Sequence, residues 1–437
     1  MMRYEAILGR SFSKNERKRM GRGALICCFV MAFTLCSVFK PYIGALPLML
    51  GFQISMASGL KMLVSTQEIS KLPQSYNFVE SVTPMIQNLS NSRSQVYEIN
   101  GDIRIHGNSS TIFIATTQQL KKTSWTIKPY ARNMDRGAMG KVRNLKIINQ
   151  NPNTDTTPPC RKSFNAPAVV FSVGGYTGNP FHDFTDVLIP LYLTSQQFNT
   201  TVIFLVADHN SWWTSKYRLI LNMLSKYDAV DIDNVNEVLC FPRMIVGLKS
   251  HKEFGIDQSI SPNYSMTDFT KFLRNTYSLD TGLIDGCSSR RPRFLIVSRK
   301  KTRHLTNELD VAKLARSIGF DVTAREMGWQ VSIVSKFVNS FDVMVAVHGA
   351  GITNMVYLPE NAVVIQIVPL GLESLSKQYF EIPSKDMNLR YLEYKVSVKE
   401  SSLIEKYGVE NEVFKNPSGL HKKGWHGFRS IYLDNQD

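Results

Sequence analysis

The apolar positions of this chain change their period along its length. Residues 168–173 (AVVFSV) and 202–206 (VIFLV) are apolar runs interrupted only by Ser172, which predict strands buried on both faces. Residues 102–106 and 111–116 alternate and predict shorter strands. Phe181, Phe184, Leu188 and Leu191 recur at helical spacing, with Asn179 as a cap and Pro180 at the first helical position. A helix to about residue 226 follows Trp212-Trp213, then strands at 229–232 and 243–246 and a helix at 268–277. Residues 149–159 and 279–291 read as loop and linker. Beyond them the pattern becomes regular: strand 294–298, helix 307–317, strand 319–323, helix 330–340, strand 342–347, helix 352–357, strand 363–368. Strict alternation predicts a parallel sheet wrapped by helices. The two halves together predict an α/β protein of two Rossmann-like domains. Neither half contains G-x-G-x-x-G, which argues against a dinucleotide enzyme.

The start of the chain obeys a different pattern. Residues 24–39 carry no charge, Lys40-Pro41 interrupts, and 42–60 are again uncharged. A basic tail precedes them, with seven Lys or Arg against Glu5 and Glu16. This predicts a signal-anchor span at 24–44, extendable to 64, with residues 1–23 cytosolic and the remainder translocated. A cleaved signal peptide is the competing reading, but the basic region is long for one and no clear small-x-small site follows. Residues 61–96 then read as a stem, 97–285 as a first domain and 286–437 as a second. Sequons at Asn88, Asn108, Asn199 and Asn263 suit glycosylation in a secretory lumen. Three cysteines remain outside the anchor, Cys160, Cys240 and Cys287, so at most one pair forms among them.

The net charge of +15 suits an anionic ligand. No zinc-finger, RRM or helix-turn-helix pattern supports nucleic acid, and a translocated chain would not meet it. Three constellations could carry chemistry. In the first, the predicted strand 342–347 ends in His348-Gly349-Ala350-Gly351, followed by Thr353 and Asn354. Small residues between a strand and a helix start allow backbone N–H groups to approach a phosphate, with His348 as a further cationic or hydrogen-bonding contact. The second is Ser298-Arg299-Lys300-Lys301-Thr302-Arg303, cations at the carboxyl end of a strand, where Arg299 and Arg303 would clamp a diphosphate. The third is His182 with Asp186, four residues apart on one helix face just past Gly174-Gly175, a general-base pair or a pair that only stabilises the helix. Asp231 and Asp233 form an Asp-x-Asp triplet that is common by chance, and no metal is assigned to it.

The segments GGYTGNPFHDFTDVLIPLYLTS, CFPRMIVGLKSHKEFGID, RPRFLIVSRKKTRHLTNE, SFDVMVAVHGAGITNMVYLP, AVVIQIVPLG and LRYLEY resemble plant family 61 glycosyltransferases, and the grass xylan arabinosyltransferase clade in particular. GDIRIHGNSS and SWTIKPYARNMDRGAMGKVR extend the resemblance toward the N-terminus. It implies a single-pass type II Golgi membrane protein with a GT-B fold, two Rossmann-like domains facing a cleft. It also implies inverting transfer of a pentose to xylan from UDP-arabinofuranose or UDP-xylose, without an essential metal, in company with other xylan-synthesis enzymes. Donor contacts then fall to Arg299, Lys300, Arg303, His348, Gly349, Ala350, Gly351, Thr353, Asn354 and Glu373. His182 and Asp186 become the catalytic pair, and Gly174, Gly175 and Asn179 the acceptor-side loop.

The chain departs from that pattern in three places. Gln87 and Tyr97 stand where relatives carry cysteines, Ser374 stands where they carry Trp, and the sequence ends at Asp437 where they continue. These departures raise a second reading, a catalytically weak paralogue that scaffolds a Golgi synthesis complex.

Overall fold

The computed structural model describes residues 85–115, 124–150, 157–285 and 290–437. The anchor predicted at 24–44, most of the stem, and Cys287 lie outside the described residues. Among the described residues, no helix is long and apolar enough to cross a membrane.

Two sheets organise the chain. The first has ten strands. They are β1 (Met85–Asn88), β2 (Tyr97–His106), β3 (Thr111–Ala115), β4 (Ser124–Ile127), β5 (Leu145–Gln150), β6 (Lys162–Ser163), β7 (Ala168–Ser172), β8 (Ile203–Ala207), β9 (Val230–Asp231) and β10 (Val238–Val246). The main order is β4-β5-β3-β2-β10-β7-β8-β9, with β1 on β2 and β6 on β10. Its β10-β7-β8-β9 part is parallel, as are the β3-β5 and β6-β10 pairs, whereas β2 joins β10 and β3 antiparallel and β4 joins β5 antiparallel. The first half is therefore a mixed sheet rather than the purely Rossmann-like unit expected.

Both apolar runs that predicted strands here are buried at every residue. The expected strand 243–246 starts five residues earlier. Pro242 removes a ladder donor, and it falls at a register shift between Phe241 and Arg243. A bulge is where a strand tolerates proline. The expected stem also shortens: β1 pairs with β2, and Ser94 and Val96 are buried.

The second sheet is wholly parallel. Its strands are β11 (Arg293–Val297), β12 (Asp321–Arg325), β13 (Val343–Val347), β14 (Val363–Val368) and β15 (Arg390–Lys395), in the order β12-β11-β13-β14-β15. In chain order this is 2-1-3-4-5, so the direction of winding reverses between β11 and β13. Ligands of open α/β sheets bind at that reversal, outside the carboxyl ends of the strands.

One apolar core is shared by the two sheets. It joins Val169, Phe171 and Phe204 of the first to Leu295, Met344 and Ala346 of the second, through Phe184, Phe254 and Tyr357. After β15, short helices at Leu403–Lys406, Glu412–Lys415, Pro417–Lys423 and Trp425–Tyr432 pack a separate small core around Leu372, Leu403, Phe428 and Tyr432.

Candidate active site

The helical stretch from Pro180 to Ser195 begins as expected. Asn179 Oδ1 accepts from the Phe181 amide, and Pro180 occupies the first turn. Its middle, Asp183–Leu188, is a wider π turn, a distortion that recurs at functional sites. Every residue from Asp183 to Ser195 is buried, so Asp186 does not lie on an open face opposite the phenylalanines.

Asp186 is 0% exposed. It accepts from His182 Nδ1 (2.9 Å), the Tyr130 hydroxyl (2.9 Å) and Arg132 Nη1 (3.2 Å), with Arg93 Nη2 at 3.7 Å. A carboxylate that accepts on all these sides fixes the imidazole tautomer: the proton sits on Nδ1. Nε2 makes no hydrogen bond among the described residues, and His182 lines a large cavity. Burial and Asp186 together raise the Tyr130 hydroxyl well above its ordinary value, so it remains a donor. Gly175 explains how Tyr130 fits. Its φ is 59°, and a Cβ there would lie 2.5 Å from the Tyr130 ring. Gly174 likewise admits the Lys141 carbonyl, so these two glycines shape the loop, whereas Asn179 also lines the cavity.

Glu253 links the same pair to a second layer. It takes Arg93 at 2.6 Å, Arg132 at 3.1 Å and the Thr185 hydroxyl at 3.2 Å. Burial alone would raise its carboxyl, but Arg93 and Arg132 outweigh that and hold it below the usual range. Arg132 also meets Tyr379, so the pair is tied to the second half of the chain. Asp183, next to the pair, accepts from the Gly178 amide, Trp213 Nε1 and the Tyr217 hydroxyl, locking the loop onto the following helices.

Opposite chemistry gathers at the winding reversal of the second sheet. Arg299 follows β11 and Gly349 follows β13. Gly349 has φ 146°, and a Cβ there would lie 2.8 Å from Arg299 Nη1 and 3.0 Å from Arg303 Nη1. Two guanidiniums thus converge on one glycine. Arg299 bonds to Thr302 and Arg303 to the His348 carbonyl (2.8 Å). Among the described residues neither forms an ion pair with a carboxylate, and Arg303 Nε is buried without a partner. Burial lowers the pKa of both, and burial plus Arg299 brings Arg303 to about 10. Two desolvated cations held together without a counterion form a site for an anion.

His348 is not the cation expected. Burial pushes it down to about 3, with Arg303 and Arg299 adding to the effect. Gln366 Nε2 (2.8 Å) and the Ser376 hydroxyl (2.9 Å) both approach Nδ1, which leaves the proton on Nε2. His348 is a neutral residue whose carbonyl seats Arg303.

Two cavities meet at this point. The larger, about 1020 Å³, is lined by His182, Glu253, Arg303, His348, Gly349 and Trp425, among others. The smaller, about 270 Å³, is lined by Lys300, Gly351, Thr353, Asn354, Trp329 and Tyr357, among others. Arg299 and Ala350 line both. Thr353 Oγ1 is buried there without a partner. The Ala350–Tyr357 turn is a 3₁₀ helix rather than an α-helix. Lys300 is mostly exposed and pairs with Glu326. Glu373, expected among the donor contacts, is exposed and lines neither cavity.

Asp231 pairs with His209 and Asp233 with Arg143, away from both cavities. Among the described residues no group of three or more His, Cys, Asp or Glu gathers as a metal site. Cys160 and Cys240 form a disulfide. All four sequon asparagines are exposed.

Sequence reading missed Arg93, Tyr130, Arg132, Asp183, Glu253 and Tyr379. Tyr130, Arg132 and Glu253 sit within segments that carried the family resemblance. The hydrogen bonds that tie Tyr130 and Arg132 to Asp186 and Arg132 to Glu253 span 54 to 121 residues, so no local spacing exposed these roles.

Residues 146–365 match the family described as Glycosyltransferase 61. The chain is 42% identical over 80% of its length to alpha-1,3-arabinosyltransferase XAT2 of Oryza sativa subsp. japonica, and spans 60% of that protein. It is 39% identical to beta-1,2-xylosyltransferase XYXT1 of the same organism, over 79% of each chain. It is 34% identical to xylan glycosyltransferase MUCI21 of Arabidopsis thaliana, over 79% of this chain and 74% of that one.

Proposed function

The chain belongs to glycosyltransferase family 61, and on that footing we propose that it transfers a pentose from a UDP-sugar to xylan with inversion. The observation that carries the proposal is a pairing across one cavity. Arg299 and Arg303 converge on Gly349 without a carboxylate partner, while His182 faces the same cavity with Nδ1 committed to Asp186.

In the proposed reaction an acceptor hydroxyl attacks the anomeric carbon. Its proton passes to His182 Nε2, and Asp186 stabilises the resulting imidazolium. The bond from the anomeric carbon to the diphosphate breaks, and its electron pair leaves on the phosphate oxygen. Arg299 and Arg303 are fixed before that charge develops, which is what electrostatic stabilisation requires. No essential metal is invoked. The small cavity receives the nucleoside, and the unpaired Thr353 hydroxyl is offered to it. The large cavity leaves room for the sugar and the polymer.

Arabinofuranose onto backbone xylose is the first choice of donor and acceptor, supported by the likeness to the arabinosyltransferase. UDP-xylose is the alternative, supported by a xylosyltransferase that the chain spans more fully. A GT-B arrangement, a Golgi lumenal setting and a type II anchor belong to the same proposal.

The test incubates the full chain with xylo-oligosaccharides and, separately, UDP-arabinofuranose and UDP-xylose, with His182→Ala alongside. A pentosylated product from one donor, lost in the variant, supports the proposal and identifies the sugar. UDP binding without any transfer would instead favour the scaffold reading.

A further inference from the structure

The arginine loop that meets the anion is held by the far end of the chain. Arg303 has φ 52°, a left-handed conformation that non-glycine residues rarely hold without support. Its backbone N–H donates to the Gln436 carbonyl at 2.9 Å, and the next amide, His304, donates to Asp437 Oδ1 at 2.9 Å. Gln436 is 2% exposed and is itself fastened at both ends of its amide. Its Oε1 accepts from the Leu370 amide (2.8 Å) and the Ser401 hydroxyl (3.1 Å). Its Nε2 donates to the Leu370 carbonyl (3.1 Å) and the Tyr432 carbonyl (3.2 Å). The adjacent Gly371 has φ 77°, and a Cβ there would strike the Tyr432 ring at 2.7 Å, so the last helix is seated against this turn.

Arg303 needs such an anchor. Its guanidinium faces Arg299, a like charge, and no carboxylate among the described residues forms an ion pair with it, Asp434 acting on it only from beyond contact. Without a fixed backbone the two cations would move apart. We infer that Gln436 is a positioning residue for the donor site: its side chain locks to Leu370, and its carbonyl sets Arg303 so that both guanidiniums converge on Gly349. The inference rests on reading Arg299 and Arg303 as the diphosphate site.

The experiment is a double-mutant cycle on the full chain, with UDP affinity measured by calorimetry and the melting temperature followed in parallel. The members are Arg303→Ala, Gln436→Ala and the double variant. Gln436→Glu is added because it keeps the volume of the side chain while giving up its donor to Leu370. Arg303→Ala weakens UDP binding by about tenfold, the effect of one hydrogen-bonded charge. Gln436→Ala or Gln436→Glu weakens it severalfold in the parent chain and has no further effect once Arg303 is gone, because coupled residues are not additive. Independent effects in the cycle overturn the inference, since a residue that only stabilises the fold does not act through Arg303. So does unchanged UDP affinity in both Gln436 variants. Unchanged UDP affinity in Arg303→Ala sinks the donor-site reading itself, a separate and recognisable failure.

Discussion

Asp186 is too enclosed to take a proton from a substrate, and its enclosure defines its role. Three hydrogen-bond donors and the Arg93 guanidinium surround it, and it has no exposed surface. A carboxylate so placed orients and polarises an imidazole, while His182, 18% exposed, is the group that can touch an acceptor. Removing the base should therefore cost more than weakening its orienter. His182→Ala is expected to lower the rate of transfer by about 10²–10⁴, the range for a positioned base, with UDP affinity unchanged. Asp186→Asn is expected to lower it by a smaller factor, because an amide can present its NH₂ to the ring and favour the wrong tautomer. Equal and complete loss in both variants, with loss of folding by circular dichroism, would mean that the pair only holds the helix. Glu253 gives a second prediction at this scale. Its folded pKa lies below the unfolded value of about 4.3, so its contribution to stability is full above that value and disappears as pH falls through the depressed one. Glu253→Gln should melt at a lower temperature than the parent chain near neutral pH, and the gap should close in acid. A gap independent of pH would remove Glu253 from the ion-pair network.

The element that matters most is the loop and helix from Gly174 to Ser195, and the sequence announced only part of it. Asn179 capping and the Pro180 start were legible because caps act within three residues. The π turn was not, and neither was the enclosure of Asp183 and Asp186 within it, since partners such as Tyr130 lie 56 residues away and leave no local pattern. The parallel strands were legible because an apolar run buried on both faces needs no partner to be recognised. β15 was missed because its residues are mostly exposed, and the helices after it because they are only four to eight residues long. The position of the two arginines proposed for the donor was legible because Arg299 stands one residue beyond Ser298 at a strand end. Glu373 was misplaced because resemblance alone carried it. Gly175 offers a test of the element. Alanine there meets both a left-handed backbone and the buried Tyr130 ring, and is expected to cost about 2–4 kcal/mol in denaturant unfolding. Transfer should fall with it, since Tyr130 holds Asp186. A variant as stable as the parent would show that Tyr130 can yield, and that the loop does not set the pair.

At the scale of the whole molecule, the large cavity is assembled from segments between Ser92 and Asp434, and their charges do not cancel. Six arginines line it (Arg93, Arg132, Arg136, Arg299, Arg303 and Arg429) against three carboxylates, Asp135, Glu253 and Asp434. Arg93 and Arg132 are committed to Glu253 and Asp186, and Arg429 to Asp434. The surplus that remains is Arg136 together with Arg299 and Arg303, and only the last two converge beside Gly349. A field of this kind draws an anionic nucleotide-sugar and leaves a neutral polysaccharide indifferent. Salt separates the two proposed substrates. Mobile ions shorten the reach of the field to about 8 Å near physiological strength and about 3 Å at 1 M. The KM for the UDP-sugar should therefore rise steadily with added salt, while the KM for xylo-oligosaccharides stays level. Arg299→Gln should flatten the donor's dependence, because it removes one of the two charges that produce it. If both substrates respond alike, salt is acting on the fold. If neither responds, recognition of the donor does not depend on the converging guanidiniums, and the placement of the diphosphate at Gly349 falls with it.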